Sequence, residues 1–456
     1  MSSIPEESPS RVRQVVVTYL ALAALLAYLC RNCLVVAESS LRAELGLTED
    51  QMGFILGPAF FWAYALAQIP TATIGERFGS RRCMPIFSIA SSIATASLGW
   101  ASGMGLLVAS RVAGGIAQGG LFPCAIRTVS LWVPQRNRAM ASGILAAAMS
   151  IGGALGAGLT GWLLQYLPAT SIFTLFAAPG IIWAIVFFGW FRERPDQHPR
   201  VNAAELSLIN QPPIDAKSRP TAEPLPAGKM WGLMLTSPAA WLICGQQFFR
   251  AAGYAFFTSW FATYLMESRG VTTAQSGMLT ALPLLASVAG AMIGGGISDT
   301  ILRLTQSLAW ARKGVAAACL AICAGLVFAA FFVADPTIAV LVISCGALLA
   351  AASGPSSYSI TMDMGGGNVA TMFSTMNTLG NFGAGLTPWL VPTFKSWVER
   401  SPELLAASDG KSWNAVLLLF AAMYLGGACC WLLLSMRGSV FDQSLLNRGA
   451  THDPAK

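Results

Sequence analysis

The chain has 456 residues, of which 55% are hydrophobic and only 11% are charged, and its formal net charge is +7. Soluble domains carry roughly 25% charged residues, so this composition excludes an ordinary water-soluble globular protein and indicates one that spans a lipid bilayer. Cys30 and Cys33 form a C-x-x-C pair with no second pair to complete a metal site. No metal, disulfide framework or cofactor is therefore expected.

In chain order, apolar runs of about 20 residues, the length that crosses the hydrocarbon core, recur twelve times. They lie near residues 14–37, 51–74, 83–101, 104–127, 139–164, 170–190, 238–266, 274–298, 313–333, 336–361, 369–394 and 412–435. The first run is too long for a signal-peptide core and has no small-residue cleavage site behind it, so it is expected to remain as the first span. The sequence thus predicts an all-α membrane protein with twelve transmembrane helices.

Residues 191–237 form the one long polar connection, rich in proline and charge, which is typical of a linker. It separates an N-terminal six-helix half, 1–190, from a C-terminal six-helix half, 238–456. The halves echo each other: GALGAGLT at 153–160 returns as GNFGAGLT at 380–387, and Glu76 and Asp299 recur at nearly the same offset. This pattern predicts a duplicated unit in parallel orientation, with chance similarity of Gly/Ala-rich helices as the alternative.

Most lysines and arginines of the predicted loops lie on the side that carries both termini. By the positive-inside rule, both termini are expected in the cytoplasm. Short outer loops without glycosylation-prone stretches suggest a bacterial inner (plasma) membrane. Because topology accounts for the basic charge, nucleic acid is not expected as a partner.

Three arginines fall inside predicted spans: Arg31, Arg111 and Arg250. A charge at mid-bilayer costs on the order of 3 kcal/mol on insertion scales, and such residues usually face an internal cavity and have a function. Nearly all acidic residues and both histidines fall in loops, tails or span ends, so no clear carboxylate neutralises the arginines. Guanidinium binds carboxylate or phosphate in a bidentate fork. The sequence therefore predicts a small organic anion as the partner, with arginines that only bond helix carbonyls as the alternative.

Other polar residues of the spans are candidates for the same cavity. They are Tyr64, Gln68, Gln118, Tyr254, Asn377 and Asn381. Helix periodicity places Gln118 on the face of Arg111 and Tyr254 on the face of Arg250. Asn377 and Asn381 lie one turn apart, either to bind substrate or to tie helices together.

Several stretches resemble the major facilitator superfamily. GERFGSRR at 75–82 resembles its loop signature between spans 2 and 3, with Glu76 where aspartate is usual and Ala72, just before, where glycine is usual. RVAGGIAQGGLFPCAIRTVSLWVP, SWFATYLMESRGVTTAQSGMLTALPLLASVAGAMIGGGISD and MNTLGNFGAGLTP resemble span 4, spans 7–8 and span 11 of its anion:cation symporter branch. That branch includes sugar-acid and phthalate permeases, sialin and the vesicular glutamate transporters. The resemblance implies transport by alternating access, a monomer, Arg31 as a substrate-carboxylate ligand, Arg111 at the matching span 4 position, and Tyr64 facing substrate.

Two departures from the branch concern proton coupling. The branch often has an aspartate before the span 1 arginine, and this chain has Cys30 there. The branch has a glutamate seven residues after the span 4 arginine, and this chain has Gln118 there. Those carboxylates are the family's proton carriers, whereas glutamine has no titratable proton and an unassisted cysteine has a pKa near 8.5. We therefore expect transport without the usual carriers. Facilitated diffusion, anion exchange, and symport with sodium or with a proton on Glu38 stay open.

Charged residues at span ends are candidates for gating or coupling. They are Glu38, Glu76, Arg77, Arg81, Arg82, Asp299 and Arg303. Glu38 lies seven residues beyond Arg31, about 10.5 Å along the helix, with a plain interfacial position as the alternative. The others can form gates or only fix topology. Two further classes stay open: a ligand-binding membrane receptor that transports nothing, and a membrane enzyme, for which the sequence offers no cluster of nucleophile, base or metal ligands.

Overall fold

A computed structural model of the chain describes residues 8–212, 225–436 and 438–441. Every regular element in those ranges is a helix, and each of the twelve predicted runs falls on a helix or on a broken pair of helices. Nine of the described segments are long and apolar enough to cross a membrane by length and composition. The other three expected spans coincide with helices that carry more polar side chains, at Ser80–Leu98, Pro238–Ser259 and Val369–Glu399.

The described chain forms two compact units. The first comprises residues 8–212 and 367–374. Its helices are α1 Val12–Leu45, α2 Glu49–Leu56, α3 Pro58–Phe78, α4 Ser80–Leu98, α5 Met104–Trp132, α6 Arg138–Leu163, α7 Ala169–Trp190 and α8 Ala203–Ile209. Gly57 separates α2 from α3, so the second span is a broken helix.

Glycines bring two helix pairs of the first unit into backbone contact. A Cβ at Gly152 of α6 would lie 2.1 Å from the carbonyl oxygen of Leu25 on α1, and one at Gly156 would lie 2.6 Å from that of Leu29. On α5, a Cβ at Gly115 would lie 2.5 Å from the carbonyl oxygen of Phe60 on α3. Only glycine permits these approaches, as is common between membrane helices.

The second unit comprises the described residues of 225–366 and 375–441. Its helices are α9 Ala227–Leu235, α10 Pro238–Ser259, α11 Phe261–Arg269, α12 Thr273–Thr305, α13 Val315–Phe331, α14 Pro336–Ala352, α15 Gly354–Met364, α16 Val369–Glu399, α17 Pro402–Ala407 and α18 Ser412–Leu433. The first residues of α16 belong to the first unit. A π-helical turn, Ala309–Gly314, precedes α13.

One glycine contact recurs in both units. A Cβ at Gly383 of α16 would lie 2.4 Å from the carbonyl oxygen of Phe248 on α10, which parallels the contact of Gly156 with Leu29. In each unit an arginine follows two residues after that carbonyl, Arg31 in the first and Arg250 in the second. The two arginines therefore occupy corresponding positions relative to this helix contact.

The first part of the expected linker is folded onto the first unit. The Glu205 side chain is fully buried and accepts hydrogen bonds from the backbone N–H groups of Val12, at 2.9 Å, and Arg13, at 3.0 Å. His198 packs edge-on against Trp132 and Trp190, with ring centres 5.8 and 4.7 Å away. The first unit thus extends to residue 212 rather than ending at 190, while 213–224, within the expected linker, lie outside the described residues.

Candidate functional site

Arg31 is buried in the first unit, with 8% of its surface exposed. Its Nε and Nη2 donate hydrogen bonds to the single oxygen Oε1 of Gln118, at 3.1 and 3.0 Å. The Gln118 amide nitrogen in turn donates to the hydroxyl of Ser91 at 3.0 Å. This chain of bonds links α1, α5 and α4, and it shows that Gln118 shares a site with Arg31.

Three aromatic rings face the Arg31 guanidinium. Its central carbon lies 4.3 Å from the ring centre of Tyr28, 4.8 Å from that of Phe60 and 4.7 Å from that of Tyr64. Each cation–π contact contributes about 0.5–2 kcal/mol, with the larger values for desolvated groups. Among the described residues no carboxylate pairs with Arg31. The rings and one amide oxygen thus replace the counter-ion that a buried charge ordinarily needs.

A cavity of about 20 Å³ borders Arg31, Tyr28, Tyr64 and Gln118. A volume of this size holds about one water molecule, so any larger ligand has to displace side chains. Gln68, predicted for the same cavity, is fully buried one turn beyond Tyr64 and is not among the residues that line it.

Arg111 is also buried but serves a different set of acceptors. Its Nε and Nη2 donate to the carbonyl oxygens of Ile55 and Leu56, both at 3.2 Å. These are the last carbonyls of α2 before the break, and such carbonyls have no partner within their own helix. The guanidinium also lies 4.5 Å from the ring centre of Phe60. Phe60 therefore contacts both Arg31 and Arg111, although Arg111 does not line the cavity.

Of the residues weighed for proton coupling, Gln118 bonds to Arg31, whereas Cys30 and Glu38 bond to other groups. The Cys30 thiol donates to the carbonyl oxygen of Phe176 on α7 at 3.4 Å. Glu38 pairs with Arg42, one turn further along α1, at 2.9 Å, and both side chains are partly exposed. Such a pair within one helix is an ordinary surface feature of modest energy.

Arg250 repeats the bonding pattern of Arg31 in the second unit. Its Nε and Nη2 donate to the Oε1 of Gln247 at 3.2 and 2.9 Å. Gln247 lies three residues earlier on the same helix, α10, and Arg250 itself is only partly buried. Tyr254, one turn beyond, is 41% exposed. Sequence reasoning missed Gln247, although its spacing from Arg250 was a usable signal.

The segment of α16 that carries Asn377 and Asn381 packs against Gln247 through Gly380. Gly380, between Asn377 and Asn381 in sequence, packs so closely that a Cβ there would lie 2.8 Å from the Cγ of Gln247. The amide nitrogen of Asn381 is buried and has no hydrogen-bond partner within the described ranges. A buried unsatisfied donor is costly.

Glu76 caps the start of α16. Its carboxylate accepts hydrogen bonds from the backbone N–H and the hydroxyl of Thr371, both at 2.8 Å, and from the Asn368 amide at 3.2 Å. A carboxylate at a helix N-terminus satisfies backbone donors and interacts favourably with the helix dipole.

Asp299 belongs to a buried ion cluster. It pairs with Arg312 at 2.8 Å, and Arg312 also pairs with Asp363 at 3.3 Å. The Arg312 side chain is fully buried and donates to the hydroxyl of Ser298 at 2.7 Å. Nothing in the sequence marks the π-helical turn that carries Arg312, so this cluster could not be predicted.

The side chains of the remaining predicted gate residues make fewer and longer polar contacts than those of Glu76 and Asp299. Arg81 donates to the Phe188 carbonyl at 3.4 Å and lies 5.3 Å from that ring centre. Arg77 lies over the ring of Phe78. No ion pair joins Arg82 or Arg303 to an acidic residue in the part of the chain described.

The family model that matches this chain and several relatives similar to it agree with each other. The family model described as the Major Facilitator Superfamily matches residues 20–388. A protein named "Probable sulfoacetate transporter SauU" from Cupriavidus necator is 29% identical over 86% of this chain and 88% of its own length. The D-galactonate transporter of Escherichia coli is 31% identical over 67% of this chain and 71% of its own. The "Probable galactarate/D-glucarate transporter GudP" of Bacillus subtilis is 28% identical over 97% of this chain and 98% of its own.

Solved structures share the fold. The proton:xylose symporter XylE aligns with a TM-score of 0.69 over 95% of this chain and 98% of its own, at 14% identity. The human organic anion transporter MFSD10 aligns with a TM-score of 0.63 over 93% of this chain and 99% of its own, at 16% identity. These matches confirm the predicted fold class and the multi-pass membrane architecture. The chain belongs to the major facilitator superfamily, in its anion transporter branch, and this is a family of transporters rather than enzymes.

Proposed function

We propose that this protein carries small organic anions across the membrane by alternating access, with Arg31 as the ligand of the anionic group. One observation carries the proposal: a buried guanidinium whose only hydrogen-bond acceptor, within the described ranges, is the neutral oxygen of Gln118. The curated relatives named for sulfoacetate, galactonate and glucarate support the same substrate class.

The bonding of Arg31 suggests how an anion would bind. Nε and Nη2 form one edge of the guanidinium, and a carboxylate can accept from both with its two oxygens. Gln118 now occupies that edge with a single oxygen. Charge-assisted bonds are roughly twice as strong as neutral ones, so a carboxylate would displace the amide, which keeps its bond to Ser91.

The other candidates take supporting roles in this proposal. Arg111 fixes the end of α2 and shares Phe60 with Arg31, while Tyr64 lines the cavity and Gln68 lies one turn behind it. In the second unit, the substrate-binding candidates are Arg250 with Gln247, Tyr254, Asn377 and Asn381.

Gating is assigned to charges at the helix ends. Glu76 with the nearby Arg77, Arg81 and Arg82, and Asp299 with Arg303, retain the role expected from the sequence. We add Arg312 and Asp363, which pair with Asp299 directly or through the shared guanidinium. Both termini are proposed to be cytoplasmic, in a bacterial inner membrane, and the protein to act as a monomer.

Coupling without the usual proton carriers is the mode we favour, because neither Cys30 nor Gln118 offers a carboxylate. Facilitated diffusion or anion exchange fits this arrangement. A proton- or sodium-coupled symport is the alternative, with Glu38 as the proton site in the first case. The surface pairing of Glu38 with Arg42 supports an interfacial position more than a proton carrier.

The proposal is tested by thermal stabilisation of the purified protein in detergent against a panel of organic acids. Wild type is compared with Arg31→Ala and with Arg42→Ala, an arginine of the same helix that lies outside the cavity. We expect one or more acids to stabilise wild type and Arg42→Ala but not Arg31→Ala. A wild type that no acid stabilises, or an Arg31→Ala variant that responds equally, contradicts the proposal. Binding without flux in liposomes would identify a receptor instead.

A further inference from the structure

The lining of the Arg31 cavity points to a narrower substrate class, an inference that rests on the proposed function. We infer that the preferred substrate is an organic acid with one charged group and an apolar body, such as an alicyclic, aromatic or aliphatic carboxylate. A polyhydroxylated sugar acid fits this lining poorly.

The cavity has one charged side chain and few polar ones. Apart from Arg31, Gln118, Tyr28 and Tyr64, every residue that lines it is Ala, Leu, Met or Phe. Arg31 can take the carboxylate, but the described residues that line the cavity include no second charged group to take another. A single anionic group is therefore what this cavity can match.

Apart from Arg31, the described residues that line the cavity offer few polar groups. The Gln118 nitrogen donates to Ser91, so only the Gln118 oxygen becomes available when an anion replaces it at Arg31. Tyr28 and Tyr64 present their ring faces to the guanidinium. A sugar acid brings a hydroxyl on nearly every carbon, and each hydroxyl buried without a partner weakens binding. These groups cannot satisfy such a set of hydroxyls.

The cavity is also polar at one end and apolar at the other. On α1, Ala23, Ala27 and Arg31 are spaced by four residues and share one face. On α5, Leu121 and Ala125 follow Gln118 at helical spacing and line the same cavity. The charge and the amide thus lie together, and both helices continue from them with apolar side chains. This arrangement suits a carboxylate at Arg31 and a hydrocarbon body along the alanines.

Two acids with the same ring skeleton and charge test the inference directly. Cyclohexanecarboxylate has an unsubstituted ring, and quinate is the same carboxylated ring with four hydroxyls. We would measure the concentration of each that gives half-maximal thermal stabilisation of the full chain in detergent, in wild type and in Arg31→Ala. We expect cyclohexanecarboxylate to act at a concentration at least about tenfold lower than quinate, and Arg31→Ala to lose the response.

The possible results separate this inference from the proposed function. If quinate or gluconate stabilises wild type better than cyclohexanecarboxylate, the apolar-body inference is wrong while organic-anion binding stands. If no acid in the panel stabilises wild type, the proposed function fails and this inference fails with it.

A matched pair of variants places the apolar body in the cavity. Met149 of α6 lines the cavity, and Met149→Gln puts an amide there at nearly the same size, whereas Met149→Leu keeps an apolar side chain. We expect Met149→Gln to raise the half-maximal concentration of cyclohexanecarboxylate about tenfold and to narrow the gap to quinate. Met149→Leu should keep the gap. An unchanged ratio in Met149→Gln would contradict a hydrocarbon body at this position.

Discussion

The arginines at corresponding positions of the two units bond alike but are held differently. Arg31 and Arg250 each donate Nε and Nη2 to one glutamine oxygen. For Arg31 the glutamine comes from another helix and three aromatic rings face the guanidinium. For Arg250 the glutamine, Gln247, is on its own helix, and no ring of the described residues faces it.

This difference teaches that the position of an arginine does not by itself define a binding site. Arg31 is fixed by groups on α1, α3 and α5, so its orientation is set before a ligand arrives. The hydrogen bonds that the structure describes for Arg250 stay within α10, so we expect this side chain to keep more of its rotamer freedom. Preorganised groups bind with a smaller entropy loss. We therefore expect Arg31 to dominate affinity and Arg250 to adjust to the ligand.

The largest expected effect comes from replacing each arginine by lysine. Lysine keeps the charge but loses the planar fork and its stacking on rings. Arg31→Lys should weaken binding of the stabilising acid by about 10–100-fold, the equivalent of losing a charge-assisted hydrogen bond. Arg250→Lys should weaken it several-fold less. Half-maximal concentrations in thermal stabilisation measure both, and equal losses would remove the asymmetry between the units.

Introducing a carboxylate next to each arginine sharpens the comparison further. Gln118→Glu places a titratable group about 3 Å from Arg31, where it competes with the substrate anion until it is protonated. We expect uptake into liposomes by this variant to depend on an imposed proton gradient, and wild-type uptake not to. Gln247→Glu is the matched control in the second unit and should respond less. Wild-type uptake already driven by a proton gradient would refute coupling without the usual carriers.

A smaller effect is expected at Phe60, whose ring contacts Arg31 and Arg111. Phe60→Leu removes the ring, and Phe60→Tyr keeps it. Loss of about 1 kcal/mol of cation–π interaction corresponds to roughly fivefold weaker binding in Phe60→Leu. Phe60→Tyr should stay near wild type, and among the described residues no ring faces Arg250 to give a similar effect. Isothermal titration with the stabilising acid would measure this, and equal weakening in both variants would indicate a packing role only.

The smallest effect concerns pH and the edge of the first unit. Burial, together with the nearby Arg192 and Arg200, lowers the pKa of His198. Below about pH 6.5, the ordinary histidine value, the unfolded chain binds a proton that the folded chain resists, so stability falls as the pH falls. His198→Asn should lose less thermal stability than wild type between pH 7 and pH 5.5. Parallel pH profiles would show that His198 does not titrate in this way.

The helices and the main charged residues of the candidate site could be predicted from the sequence alone. Twelve apolar runs identified the spans, and the rarity of charge inside them singled out Arg31, Arg111 and Arg250. Their surroundings were harder to predict, because they depend on which helices pack together. Phe60 lies one turn before Tyr64 on the same face of α3, so helical spacing could have found it. The partners of Arg111, two backbone carbonyls, leave no trace in sequence.

Composition predicts a linker over residues 191–237, but composition alone does not show that its first part is folded. Asn202 caps α8, with Glu205 three residues later, which is the sequence signature of a helix N-terminus. That signal was present within the proline-rich stretch. What no pattern could reveal is that Glu205 also caps α1, some 190 residues earlier in the chain.

The close glycine contacts have a mechanical consequence for the cavity. Gly152 and Gly156 join α1 and α6 backbone to backbone, and Gly115 joins α3 and α5 in the same way. The pair α1–α6 carries Arg31 and Met149, and the pair α3–α5 carries Tyr64 and Gln118. The cavity therefore lies along the seam between these two closely packed helix pairs. The hydrogen bonds of Arg31 to Gln118 and its contacts with the rings of Phe60 and Tyr64 cross this seam. An anion that replaces Gln118 at Arg31 would therefore also weaken the contact between the two pairs of helices.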